Sequence, residues 1–389
     1  MKNNGTAPHI FCIIGEESGD NHASSILSLV KEKLPELKIT GTGGENFRKL
    51  SQETHYRAED MSVIGIWEVL KKYRFFKRML DFLIDKINSE RPDFLFLVDY
   101  PGCNIKVADS VKKNGMKIIY FIAPQVWAWK KKRVFTLKRL VDYMIVIFPF
   151  EVTFFKEYGD MDVICYGHPF LDVYKRIKTI PSPFPVEGVI NIAVLPGSRP
   201  NEITRHLPAL IQAMKLAKQQ IPNVKFWVMK AKFLEMDFLT KNGLVENDFI
   251  KIVDGYSKEY IYHSHLAWCC SGTATIECAI LKTAPIIFYK ISPINFLLLA
   301  NINKDTTIGM PNIILEEQFF SELKQDNFSA EKMLIETFRY LNELKLDSKN
   351  HPVFEKIHTK LGENNVYQKI ADSLVGYIQS TYPLEANQK

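Results

Sequence analysis

The chain reads as an α/β protein of two doubly wound parallel-sheet domains, and three observations predict this. Short apolar, β-branched runs alternate with helical patterns from end to end, as parallel strands joined by crossover helices do. A stretch with three prolines, PSPFPVEG at 181–188, divides the chain; its prolines favour an extended linker. The length of 389 residues exceeds one ordinary domain and suits two.

Composition narrows the class further. Hydrophobic residues make up 46% and charged residues 24% of the chain, so sizeable cores are available and disorder is excluded. The formal charge of +6 permits an anionic partner and gives no reason to expect nucleic acid. The cysteines, Cys12, Cys103, Cys165, Cys269, Cys270 and Cys278, lie scattered without CxxC spacing. They are expected to be reduced core residues of a cytoplasmic protein. The start, MKNNGTAPHIFCIIGEESGD, reads as a first strand and not as a signal peptide. No apolar run approaches the ~18 residues of a membrane span.

Strands are expected at His9 to Ile14, Phe94 to Asp99, Lys117 to Ile122, Tyr143 to Phe148 and Val163 to Tyr166 in the first half. In the second they are expected at Asn191 to Leu195, Lys225 to Met229, Ile250 to Val253, His265 to Cys270 and Pro285 to Tyr289. The boundaries that follow are an N-terminal domain at 1–182, a C-terminal domain at 183–365 and a helix with tail at 366–389. Ser329 to Gln379 is helical in pattern without strands. Its last part is expected to return to the first domain or to pack on a partner subunit, which leaves room for a homodimer.

Open α/β sheets bind ligands beyond the carboxyl ends of their strands. The turns found there are GEESGD, DYPGCN, APQVWAW and GHP in the first half, and LPGSRPNE, SGTATIE and YK in the second. Neither GxGxxG nor a Walker A sequence is present, which weighs against a dinucleotide oxidoreductase and a P-loop kinase. In Ser271-Gly272-Thr273-Ala274-Thr275-Ile276-Glu277 a small-residue turn runs from strand into helix. Such a turn aims unpaired amides and a positive helix end at one spot, which suits a phosphate. Thr273 and Thr275 add hydroxyls, and Glu277 suits ribose hydroxyls, so the stretch reads as a nucleotide site; tight packing is the plainer alternative. Arg199 follows another such turn and either meets a diphosphate bidentately or pairs with Glu202.

Asp99 ends an apolar strand and is followed by Tyr-Pro-Gly. It serves either as a general base for a sugar hydroxyl or as a cap for the next helix. Glu16, Ser18, Gly19 and Asp20 form the first turn, where Ser18 and Asp20 cap the following helix or touch substrate, with Glu16 or Asp20 in reserve as base. Trp127 and Trp129 precede a basic run, KKKR, whose charges suit an acceptor phosphate or anionic lipid heads; a packed Trp pair beside a solvated charged turn is the plainer alternative. His168, beside a proline, reads as a hinge or core-edge residue with cleft contact at most. Asp160-Met161-Asp162 matches the DxD of metal-dependent glycosyltransferases in form, but it precedes a strand and is rejected. The run at 64–87 is helical, basic and broader in apolar surface than one face needs. Trp67, Lys72, Phe76, Lys77 and Arg78 there suit a membrane interface or an acyl-chain groove.

These motifs resemble those of one family, the lipid-A-disaccharide synthases, bacterial inverting glycosyltransferases of the GT-B fold. GEESGD is similar to that family's GEASGD, IAPQVWAWKKKRV to YxSPxVWAWRxxR, LPGSRPNE to LPGSRxxE, and SGTATIE to SGTATLE. The resemblance runs from Gly15 to about Gln325. Gly102 and Cys103 stand where many members carry Asp-Phe, Ala123 where Ser is usual, and Glu17 where Ala is usual. It implies two Rossmann-like domains facing across a cleft. It also implies transfer of 2,3-diacylglucosamine from UDP to the 6-hydroxyl of 2,3-diacylglucosamine 1-phosphate (lipid X), making the β-1,6-linked disaccharide 1-phosphate and UDP. The implied catalytic residue is Asp99. The implied donor residues are Arg199, Ser271, Gly272, Thr273, Ala274, Thr275, Glu277, Asn312, Glu322 and Gln325. On the acceptor side stand Glu16, Ser18, Gly19, Asp20, Asn104, Gln125, Trp127 and His168. No metal and no cofactor is expected, and the partners are the UDP-diacylglucosamine donor, the lipid X acceptor and an anionic membrane surface, reached from the cytoplasm at the inner face of the inner membrane. A UDP-sugar epimerase of the same architecture and a non-catalytic lipid-binding protein are the alternatives.

Overall fold

The computed structural model describes residues 7–61, 73–127, 131–185, 187–231, 234–255, 257–291 and 306–382. The chain divides into two compact units, Met1–Asp172 with Leu361–Lys389, and Val173–Lys360. Each is an α/β unit on one parallel sheet. The first sheet comprises β1 His9–Ile14, β2 Lys38–Gly43, β3 Glu53–Arg57, β4 Phe94–Val98, β5 Lys117–Phe121, β6 Tyr143–Val146 and β7 Val163–Cys165, in the order β3-β2-β1-β4-β5-β6-β7. The second comprises β8 Ile190–Leu195, β9 Val224–Lys230, β10 Ile250–Asp254, β11 Leu266–Cys270, β12 Ala284–Tyr289 and β13 Glu322–Lys324, in the order β10-β9-β8-β11-β12-β13.

In each unit the chain builds outward on one side of its first strand, then starts again on the other. That reversal falls between β1 and β4 in the first unit and between β8 and β11 in the second. Crevices beyond the carboxyl ends of strands at such reversals are where open α/β sheets take ligands. The four strands are almost continuously apolar and buried, as strands covered on both faces must be. Phe11, Ile13, Leu95 and Leu97 share one core with Leu83 and Ile87 of the helix Tyr73–Glu90 and Val107 of the helix Pro101–Val111. The rigid parts of both candidate sites are therefore central strands.

All ten expected strands are present, and three more accompany them. β2 (KITGTG) carries two glycines and two threonines, β3 (ETHYR) is a polar edge strand, and β13 has three residues. None shows the apolar run that marks a covered strand. The predicted strands ending at Asp99 and Phe148 stop sooner, because Asp99 leaves the extended region and Phe148 caps the helix Pro149–Lys156. The compact units change at 172/173 and 360/361, whereas the prolines had placed the boundary at 182/183. The division follows packing, and the helix Phe170–Ile177 spans the first change. The helix Val366–Thr381 lies against the helix Glu17–Lys33 within the first unit. His22 Nδ1 meets the Tyr367 hydroxyl at 2.7 Å, and Lys33 pairs with Asp372. Tyr377 stacks on Tyr143 with 4.5 Å between ring centroids.

Candidate active site

In the first unit, the turns after β1 and β4 lie side by side. A Cβ on Gly15 would come within 2.3 Å of the Tyr100 ring, so this position has room only for glycine. Asp99 and Tyr100 are consecutive non-glycine residues in the left-handed region, at φ 45° and 47°. Each such residue costs ~1–3 kcal/mol and persists only where neighbours hold it. Here they do. The Asn104 amide donates to Val98 O at 3.2 Å and to Asp99 O at 2.7 Å, and the Tyr120 hydroxyl donates to Asp99 O at 2.6 Å. The Asp99 N–H donates to Phe121 O at 3.0 Å, and the Tyr100 hydroxyl donates to Met61 O at 3.1 Å. Burial first, and then the Glu16 carboxylate, push the Asp99 carboxyl up to about 7, against a hydrogen bond from the Tyr100 N–H. A strained turn therefore presents a carboxylate able to accept a proton near neutral pH.

The other expected residues of this unit divide by task. Glu16 and Ser18 are exposed at the start of the helix Glu17–Lys33, and Gly19 is buried with its Cβ position 3.2 Å from Val98. Asp20 is 2% exposed and accepts from the amides of Gly44, Asn46 and Phe47 at 2.8, 3.0 and 3.2 Å. It caps the helix Glu45–Leu50 and not, as expected, the helix Glu17–Lys33 in which it lies, so its carboxylate is spent on structure and is not a reserve base. Asn104 likewise braces the Asp99 turn from a fully buried position. Gln125 is exposed, whereas Trp127 donates to Glu151 Oε1 at 2.9 Å and meets Phe150 edge-on. Glu151 is buried and burial pushes its carboxyl up to about 7; no motif pointed to it. His168 is 2% exposed, accepts from the Phe170 N–H at 3.2 Å, and is pushed down to about 3 by burial and by His22. It is a neutral packing histidine, and the cleft contact expected of it has no surface to use. Phe76 is half-buried, while Lys77 and Arg78 are exposed on the helix Tyr73–Glu90. Trp67, Lys72 and Trp129 lie outside the described residues.

In the second unit, the turn after β11 holds Gly272 at φ 150°, ψ −166° as the N-cap of the helix Thr273–Ile280. No atom lies within 4 Å of a Cβ built there, so the approach to the backbone is open. The first amides of a helix lack an acceptor within it; here the Thr275 N–H already donates to Gly272 O at 3.1 Å, which leaves the amides before it to meet a ligand. Ser271 donates to Ile308 O at 2.8 Å, and Thr275 donates its hydroxyl to Gly272 O at 2.8 Å. The turn is thus fixed from within, and Thr275, buried, is a brace where a ligand donor was expected. Thr273 stays exposed and Ala274 half-exposed. Burial pushes the Glu277 carboxyl up to about 7 against the pull of Lys258, a state suited to hydrogen bonding with hydroxyls.

Arg199 is exposed at the N-cap of the helix Pro200–Gln220. Its guanidinium lies 3.2 Å from Glu202 Oε1, which also accepts from the Tyr289 hydroxyl at 3.2 Å. Both readings of Arg199 stay compatible with this geometry, since an exposed arginine exchanges partners at little cost. Asn312 and Glu322 do not share that freedom. The Glu322 carboxylate accepts from the amides of Ile308 and Gly309 and from Asn312, and Asn312 also makes a two-way pair with Phe320. Both are used up in joining β13 to the preceding segment, so direct donor contact by their side chains is corrected to support. Gln325, at φ 51°, follows β13 directly at the carboxyl edge. Among the described residues, Glu53, His55 and Glu90 bring metal-type ligands together. There the Lys86 ammonium, 3.1 Å from Glu90 and 3.5 Å from Glu53, already supplies a cation.

The family model described as lipid-A-disaccharide synthetase matches residues 10–374. The chain belongs to the lipid-A-disaccharide synthase family. It is a glycosyltransferase of lipid A biosynthesis. The synthase of Trichlorobacter lovleyi is 31% identical over 386 residues, covering 97% of this chain and 99% of the relative. That of Syntrophus aciditrophicus is 33% identical over 340 residues, covering 86% and 88%. Among solved structures, the Staphylococcus aureus MnaA-UDP co-structure superposes with a TM-score of 0.68 at 10% identity, over 96% of this chain and 97% of that one. The calicheamicin glycosyltransferase CalG4 gives a TM-score of 0.60 at 12% identity, over 97% and 100%. These likenesses show the GT-B fold, which the synthases therefore share with epimerases as well as with other transferases. The identities of Gly15, Asp99, Arg199 and Gly272 were visible because each follows a central strand. The contacts of Tyr289 with Glu202 and of Glu151 with Trp127 were not, since only the fold brings these pairs together.

Proposed function

We propose that this lipid-A-disaccharide synthase joins UDP-2,3-diacylglucosamine to lipid X, with Asp99 as the general base. The single observation that carries the assignment is the Asp99 turn, in which a left-handed, braced backbone presents a carboxyl poised at about 7. A general base works best when its pKa lies near the operating pH, and its contribution is ~10²–10⁴-fold. In one displacement, the acceptor 6-hydroxyl loses its proton to Asp99 as its oxygen bonds to the donor's anomeric carbon. The bond from that carbon to the β-phosphate oxygen breaks, with inversion. The second unit holds the UDP. Amides at Gly272 to Ala274 and the Arg199 guanidinium meet the charge that grows on the β-phosphate, and Glu277 accepts from ribose hydroxyls. Losing one such donor typically costs ~3–4 kcal/mol in the transition state. Family relatives of that name and neighbours solved with UDP support this choice of donor.

The acyl chains make the substrates membrane lipids, and no helix of the described residues is long and apolar enough to cross a membrane. The exposed Lys77 and Arg78, with Arg74 and Asp81, line an open recess of about 500 Å³ beside half-buried Phe75 and Phe76. This face suits anionic headgroups at the inner face of the inner membrane. The deciding experiment is Asp99→Asn. We expect UDP affinity to persist and turnover to fall at least ~100-fold, with the disaccharide 1-phosphate and UDP read by mass spectrometry from defined donor and acceptor. Near-normal turnover would remove Asp99 from the mechanism.

A further inference from the structure

His206 is fully buried in the helix Pro200–Gln220, and its ring bridges two turns at the carboxyl edge of the second sheet. Its Nδ1 lies 2.8 Å from the Pro196 carbonyl, and the Lys290 amide donates to Nε2 at 3.2 Å. A backbone N–H can only donate, so Nε2 is the bare nitrogen and Nδ1 carries the proton given to Pro196. Both nitrogens are therefore committed, and the tautomer follows from the partners. Pro196 begins the turn that carries Arg199, and Lys290 follows Tyr289 at the end of β12. β8 and β12 are the two strands that flank β11, whose own turn holds Gly272. The same two turns are joined again through the Tyr289 hydroxyl and Glu202, the carboxylate that meets Arg199. Phe288 and Phe328 pack edge-on against the imidazole, with centroids at 5.2 and 5.8 Å, so the ring has no room to flip.

We infer that His206 is a positioning residue for the donor: as a neutral Nδ1–H imidazole it fixes the Arg199 turn against the Tyr289 turn on either side of the phosphate-binding amides. The inference rests on the proposed donor site and deepens it. A second proton on Nε2 would face the Lys290 N–H, donor against donor, and release one turn from the other. Burial holds the imidazole below its ordinary pKa. The charged and titratable groups facing it are Glu202 and Arg205 on its own helix and Tyr289 on β12. Protonation therefore requires a pH below the ordinary imidazole range, and donor affinity should weaken there.

The test uses the full chain with His206→Leu, which removes both hydrogen bonds, and His206→Gln, whose amide offers one donor and one acceptor. We expect His206→Leu to raise the UDP dissociation constant and the donor KM about tenfold or more while the acceptor KM stays within twofold. We expect His206→Gln to recover most of this and to lose the acid-side weakening of UDP binding expected of the parent. A merely structural histidine would raise both KM values together, or neither, and that outcome would overturn the inference. Should His206→Leu not fold, ring nitrogen shifts of His206 in the unaltered protein serve instead: the Nδ1–H neutral form at pH 7 supports the clamp, and an Nε2–H or doubly protonated ring refutes it. An unaltered protein that binds no UDP at all would sink the donor assignment itself and leave this tautomer measurement standing as a separate result.

Discussion

Asp99 combines a left-handed backbone with a carboxyl that resists ionisation, and both costs fall on one residue. Its folded-state pKa is raised above the ordinary value near 4, so the stability that its protonated form contributes is fully present below about pH 4 and is lost as pH rises through about 7. Asparagine mimics the protonated form. Asp99→Asn should therefore match the parent in Tm near pH 4 and exceed it above pH 7, by roughly 2–4 °C for each kcal/mol relieved; thermal melts across that range check it. Glu16 is the lesser of the two causes that raise this carboxyl. Glu16→Gln should keep turnover at pH 8 and move the acid limb of kcat/KM to lower pH, because a like charge has been removed. A loss matching that of Asp99→Asn would make Glu16 the base. The sequence exposed Asp99 through its place after FLFLV, yet it could not distinguish its carboxyl from that of Asp20. Only the three amides folded onto Asp20 from the next helix separate a cap from a base.

Elements were legible in proportion to how thoroughly they are covered. β1, β4, β8 and β11 are buried on both faces and announce themselves as apolar runs, and the site turns follow them. β2 and β3 pack less of their surface in apolar side chains, and β13 owes its place to the Glu322 and Asn312 network more than to its own composition. The helix Tyr73–Glu90 shows the same logic on two faces. Met79, Leu83 and Ile87 are buried in the first core, while Arg74, Lys77 and Arg78 remain outside. Each basic residue near an anionic surface contributes ~1 kcal/mol, so Lys77→Glu with Arg78→Glu should weaken binding to phosphatidylserine or cardiolipin vesicles roughly 30-fold or more at low salt. Co-sedimentation measures it. Unchanged binding would take this face out of the membrane account.

At the scale of the whole molecule, the first unit is assembled from both ends of the chain. Val366, Ile370, Leu374 and Ile378 of the late helix are buried, as are Ala23, Ile26, Leu27 and Val30 of the early one. Asp172 accepts from the amides of Asn365 and Tyr367 at 2.7 and 2.8 Å, which fixes where the late helix begins. Ending the chain after Gly362 should leave the second unit's melting transition in place and destabilise the first, with the early helix exposed to proteolysis at low protease concentrations. Retention of two transitions at their original temperatures would show the late helix to be dispensable.

That late helix also sets a clock. Some 333 residues separate Lys33 from Val366, and at ~5–20 residues per second a ribosome needs roughly 20–70 s to make them. Throughout that interval the amino-terminal half waits on a nascent chain with one flank bare, while the unit encoded in between acquires all its parts. The protein therefore completes its middle before its beginning, and whatever shields that flank during synthesis is as much a requirement of the fold as the contacts that finally cover it.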